Sequence, residues 1–116
     1  MNIEEYRNFC LSLKGTTEGL PFDDRTLVFK VKGKMFSATD VEDYDMINVK
    51  CDPVKAIELR ETYDFVLPGY HMNKKHWNSI KTGPHLPPDL LRKWVLDSYN
   101  LVVAGLPKRI REELQN

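Results

Sequence analysis

The residues of this chain with the most chemistry per position run from Pro68 to Ser79, reading Pro-Gly-Tyr-His-Met-Asn-Lys-Lys-His-Trp-Asn-Ser. No acid interrupts them. A metal site would need His71 and His76 to converge with a third ligand. Helical zinc motifs space their histidines four apart, as in H-E-x-x-H, whereas these are five apart and His85 and Cys51 lie remote in sequence. Nucleophilic catalysis needs a Ser or Cys beside a His that an acid orients. Ser79 stands three residues from His76, which strand alternation sends to the opposite face, and the acid is missing. Neither G-x-x-x-x-G-K nor G-x-G-x-x-G occurs. The expectation is therefore no catalytic residue, no metal, no cofactor and no enzymatic activity. These residue types suit contact instead. Lysine binds phosphate as a point charge, Asn and His donate to phosphates or base edges, and Trp or Tyr stacks on bases.

Composition bounds the partners. With 116 residues, 41% hydrophobic and 29% charged, the chain is expected to form one ordinary globular domain, 1–116. Formal net charge is zero, which argues against strong charge-driven binding to nucleic acid. The charge is polarised, however. Residues 1–64 carry 13 acids against 9 Lys and Arg, a balance of −4, and residues 65–116 carry 4 against 8, a balance of +4. No apolar run approaches the ~20 residues that cross a bilayer, and the first residues lack the basic and apolar regions of a signal peptide. A cytoplasmic, membrane-free, monomeric protein is expected. Cys10 and Cys51 then read as buried thiols.

The elements that must position the motif follow from periodicity. Asn2 and Glu5 resemble a capping box for a helix over 3–14, with Ile3, Tyr6, Phe9, Cys10 and Leu13 on one face and Gly15 as a left-handed stop. Residues 16–25 read as an extended piece and a turn, with Asp23 and Asp24 solvated. A hairpin over 26–39 turns at Lys32-Gly33-Lys34 and places Leu27, Phe29, Val31, Phe36 and Ala38 on the buried face, with Lys30, Lys32 and Lys34 outside. Asp40, Glu42, Asp43 and Asp45 lack calcium-loop spacing and read as a solvated loop. A strand over 46–51 follows. Asp52-Pro53 starts a second helix that is expected to bury Val54, Ile57 and part of Ala56, Leu59 and Tyr63. A second hairpin over 65–82 has its tip at 72–75. Pro87-Pro88 opens a third helix that Gly105 stops, and a short helix ends the chain. Helices flanking hairpins predict an α+β fold of order α-β(3–4)-α-β2-α, with the helices on one face of an antiparallel sheet.

Trp77 decides what the second hairpin can do. If Ile80 faces the core, so do Asn78 and His76, and Trp77, Ser79 and Lys81 face out. If a bulge shifts the frame, Trp77 is core. Two binding modes stay open: contact with double-stranded DNA through two lysine-tipped hairpins, weak and salt-dependent, or a protein- or small-ligand-binding surface built on Tyr70, His71 and Trp77.

Residues 68–79 resemble the signature of the MmcQ/YjbR family of small bacterial proteins. Phe29-Lys30-Val31-Lys32-Gly33-Lys34-Met35-Phe36-Ser37 is similar to that family's first hairpin, and Pro21-Phe22 and Leu106-Pro107-Lys108-Arg109-Ile110 fit as well. The resemblance implies a CyaY-like α+β fold and a "double-wing" mode of DNA binding. Carried over, it implies a nucleic-acid surface of Lys30, Lys32, Lys34, Asn73, Lys74, Lys75, His76, Trp77, Asn78 and Lys81. The frataxin-like likeness also raises iron, but the first helix offers only Glu4 and Glu5 near its start.

Overall fold

The computed structural model describes residues 1–115. Its elements are α1 (Ile3–Ser12), β1 (Thr16–Gly19), β2 (Thr26–Val31), β3 (Lys34–Asp40), β4 (Met46–Lys50), α2 (Pro53–Thr62), β5 (Val66–Pro68), β6 (Trp77–Lys81), α3 (Pro88–Ala104) and α4 (Lys108–Gln115). The six strands form one antiparallel sheet in the order β1-β2-β3-β4-β6-β5. This is the α+β arrangement that the hairpins predict, with β6 inserted between β4 and the edge strand β5.

Local signals place the helices. Asn2 accepts from the Glu5 amide at 2.8 Å, and Glu5 accepts from the Asn2 amide at 3.0 Å, completing the capping box. Asp52 caps α2 through the amides of Val54 and Lys55, with Pro53 opening the helix. Gly15 adopts φ +78 in the turn into β1, where its missing side chain leaves room for Leu114 of α4.

The helices share one sheet face. Ser37, Val49 and Asn78 are cross-strand partners and point the same way. The Tyr6 hydroxyl of α1 lies 2.7 Å from Ser37 Oγ, and Asn78 Nδ2 donates to the Ala56 carbonyl of α2 at 3.3 Å. Tyr99 of α3 packs edge-on against Phe36. Ser98 fastens α3 more firmly: its buried hydroxyl donates to the Phe36 carbonyl at 2.6 Å and accepts from the Lys50 amide at 2.8 Å. The core between these layers holds Phe29, Val31, Phe36, Ile47, Ile80, Leu91 and Val95. Each such side chain, fully buried, contributes about 1.5–3 kcal/mol.

Three expectations need correction. The hairpin over 26–39 contains a β-bulge: Phe29 faces Ser37, but Lys30 faces Met35, so Phe36 is an extra residue on β3. Phe36 and Ser37 both serve the helix side, and Ala38 swings to the opposite face, paired with Val28 and Asn48. In α2, Val54 and Ile57 are not buried; they are 67% and 53% exposed, whereas the other expected residues do turn inward, Ala56 fully buried and Leu59 and Tyr63 half-buried. Trp77 does lie on the face opposite Ile80, as alternation requires, yet it is only 9% exposed. The reading that outward means exposed fails because the loop after β5 folds back: Gly69 sits so close that a side chain on it would meet Trp77 Cβ at 2.8 Å.

Candidate functional site

Two regions gather the residues that could bind something. One is the end of the sheet where β2 turns into β3 and β5 into β6. The antiparallel register puts both turns at the same end, three strand spacings or about 14 Å apart. Val31 faces Lys34, so Lys32 and Gly33 alone make the first turn, with φ of 50 and 82. Two left-handed residues are what a tight type I′ hairpin needs. The second turn is held by Asn73, whose Oδ1 accepts the Lys75 amide at 2.9 Å, and by Arg60 of α2. Arg60 donates to Asn78 Oδ1 at 2.6 Å, to the Trp77 carbonyl at 3.3 Å and to the Lys74 carbonyl. It ties the loop to the sheet from the helix side.

The structure sorts the ten expected contact residues unevenly. Lys34 and Lys75 are exposed at this end, and among the described residues no ion pair or hydrogen bond engages their ammonium groups. Lys32 lies 3.6 Å from Glu113 of α4, and the Lys74 ammonium folds back to the Gly69 carbonyl at 3.0 Å. His76 is half-buried, and its carbonyl accepts the Cys51 amide. Asn78 is 1% exposed and occupied by Arg60 and Ala56. With Trp77 buried as well, both are corrected from surface contacts to structural residues. Lys30 sits in mid-strand opposite Met35. Lys81 faces Met46 at the far end of β6 and does not join the group.

The second region is the sheet face that no helix of the described residues covers. A cleft of about 620 Å³ lies on it. Its floor is Met35 and Ala38 of β3 and Met46 and Asn48 of β4. One wall is the loop between β1 and β2, with Phe22 and Asp23, and the other is Tyr70, His71 and Met72 after β5. The bulge lets Met35 and Ala38, three residues apart, share this face opposite Lys30 and Val28. Ser79 sets its polar centre. The Ser79 hydroxyl accepts the Tyr70 amide at 2.8 Å and donates its only proton to Asn48 Oδ1 at 2.5 Å. That fixes the Asn48 amide with its Nδ2 free of any protein partner among the described residues. The Tyr70 N–H to Ser79 bond anchors the wall, where His71 takes the left-handed φ of 57 and its ring lies tilted against that of Tyr70, the centroids 4.1 Å apart.

Carboxylates rim the far end of the cleft: Asp23, Asp40, Asp43 and Asp45. Asp40 is held below its ordinary pKa, first by the Asp43 backbone N–H and then by Arg25. Asp23 is held down likewise, first by the Thr26 amide. Arg25 reaches Asp40 and Asp43 at 3.0 Å each, and Asp45 carries no such partner among the described residues. Among those residues, no three His, Cys, Asp or Glu side chains converge as metal ligands do, and no helix is long and apolar enough to cross a membrane. Both cysteines are free thiols, and burial pushes Cys10 up to about 12. Sequence reading missed the cleft, Arg60 and Asn48. Its one visible signal is that Met35, Met46 and Met72 fall in or beside strands, where methionine is an adaptable surface for ligands.

Comparison with known proteins places this geometry. The chain is 42% identical over 96 residues to the uncharacterized protein YbdF of Escherichia coli O157:H7, covering 82% of this chain and 79% of that one. It is 29% identical over 115 residues to the uncharacterized protein YjbR of Escherichia coli K12, covering 98% of each. The crystal structure of the Deinococcus radiodurans protein DR2400 superposes with a TM-score of 0.91 at 38% identity, over 98% of this chain and 88% of the other. The YjbR family model matches residues 11–101, and on this evidence the chain belongs to the YjbR family.

Proposed function

We propose that this protein is a ligand-binding module whose site is the cleft on the helix-free face of the sheet. The observation that carries this reading is the construction of the cleft: a volume of about 620 Å³ walled by two loops, with three methionines in its lining and one oriented amide at the centre of its floor. Ligand sites have this size and this mix of apolar surface with few fixed polar groups. The test uses those methionines. Three of the four in the chain line the cleft, whereas Met1 packs on the core. In protein labelled with 13C at methionine methyls, binders from a fragment library shift Met35, Met46 and Met72 and leave Met1 in place. A library that shifts none of the three removes the proposal.

A second reading, contact with phosphates of double-stranded DNA, is favoured by one observation: Lys34 and Lys75 project from the same end of the sheet, with no partner for their ammonium groups among the described residues. Two phosphate contacts give a log–log salt slope of about −2, hence weak binding lost at moderate salt. Fluorescence anisotropy with a labelled duplex at low and moderate salt tests it. Equal binding by wild type and the Lys34→Glu/Lys75→Glu double variant counts against it.

A further inference from the structure

The chemistry of the cleft narrows what it takes. Its floor and walls, Met35, Met46, Met72, Phe22 and Tyr70, offer an apolar or aromatic body a bed and two exposed rings. Asn48 Nδ2 presents a donor in mid-floor. Among the described residues, every charged side chain that lines the cleft is a carboxylate; Lys30 and Lys81, cross-strand neighbours of Met35 and Met46, border the floor without lining it. Arg25 offsets Asp40 and Asp43 from outside, while Asp45 is left without a cationic partner among the described residues. His71 stands on the opposite wall. An anion placed here would lose hydration facing four carboxylates, which costs free energy. A cation would gain from them and from the faces of Phe22 and Tyr70.

We infer that the cleft selects small amphipathic cations: an apolar, preferably aromatic body on the methionine floor and an amine at the Asp45 end, with an acceptor at mid-length seated on Asn48. This inference rests on the cleft being the binding site. It also sets the cleft apart from the lysine-tipped end, whose complement is anionic.

Three probes of one ring system separate the possibilities: tryptamine, indole-3-acetamide and indole-3-acetate, each titrated into the methyl-labelled protein. The expected order of affinity is tryptamine, then the amide, then the acid. Asp45→Asn, an exposed and near-isosteric change, weakens tryptamine about two- to fivefold, the range of a solvated ion pair, and leaves indole-3-acetamide unchanged. Asn48→Ala weakens the amide more than tryptamine. Equal affinity for all three probes overturns the charge selection but keeps the cleft as a site for apolar bodies. Tightest binding of indole-3-acetate also overturns it. No shift of Met35, Met46 or Met72 with any probe overturns both this inference and the function on which it rests. A thermal melt of each variant beside wild type shows that the changes are read on folded protein.

Discussion

The lysine-tipped end and the open-face cleft sit on the same sheet and are built in opposite ways. At the end, the residues with the most conspicuous chemistry are largely spent on holding the loop: Asn73 turns it, Asn78 takes Arg60, Trp77 fills the space under Gly69, and the Lys74 ammonium returns to the backbone. In the cleft, ordinary residues are left over: three methionines, one asparagine amide and one aspartate that has no cationic partner among the described residues. A dense cluster of polar and aromatic side chains is often the framework of a loop. Binding capacity is better judged by which donors, charges and apolar surfaces the fold leaves unspent.

Stability measurements divide the two regions, and the largest effect belongs to Trp77. Replacing a buried aromatic by alanine costs about 3–5 kcal/mol, so Trp77→Ala lowers the urea midpoint sharply. A change within about 0.5 kcal/mol, typical of surface sites, would restore Trp77 to the surface and collapse the contrast. Gly69→Ala comes next. Its new methyl meets Trp77 Cβ at 2.8 Å and the Trp77 carbonyl at 2.9 Å, an overpacking of about 1–3 kcal/mol. Arg60→Met removes charged donors from Asn78 and two carbonyls and destabilises by about 1.5–3 kcal/mol. Hydrogen exchange should speed up at the Gly69 amide, which bonds to Trp77 in this loop. Lys34→Glu/Lys75→Glu stays within about 0.5 kcal/mol and shows itself only in salt-dependent anisotropy.

Acid sharpens the contrast from the cleft side. Asp23 and Asp40 have folded pKa values below their ordinary ones. The stability they contribute is full above the unfolded carboxylate value, about 3.9, and is lost as pH falls through the folded values. Acid titration followed by NMR should therefore disturb the rim residues near Arg25. The lysine-tipped end, with no carboxylate in its second loop, should respond less in the same window.

Much of the scaffold is legible in the residues themselves. The Asn2–Glu5 box, Asp52-Pro53, Pro88 and the Lys32-Gly33 turn each carry a local cause within a few positions, and the structure places elements where they say. The cleft is not legible in that way, because its parts come from four separated segments joined only by sheet register. The failures have physical reasons. Alternation assigns Trp77 a side but says nothing about the loop that covers that side. Apolar spacing puts Val54 and Ile57 in the core, but α2 docks by Ala56 and Arg60, with Asn78 reaching up to meet them. Simple alternation puts Ala38 on the wrong face because one uncounted residue inverts every facing downstream of it.

That residue, Phe36, has a use beyond this chain. As an insertion in the strand it acts as a phase marker when relatives are aligned. A relative with one residue fewer between Gly33 and Ala38 would pair here without a bulge, keeping Ala38 opposite Val28 on the cleft floor and giving up one of the two adjacent helix-side residues, Phe36 or Ser37. Residue count at this point therefore reports on how the helix-side core is filled, and leaves the facing of the cleft floor unchanged.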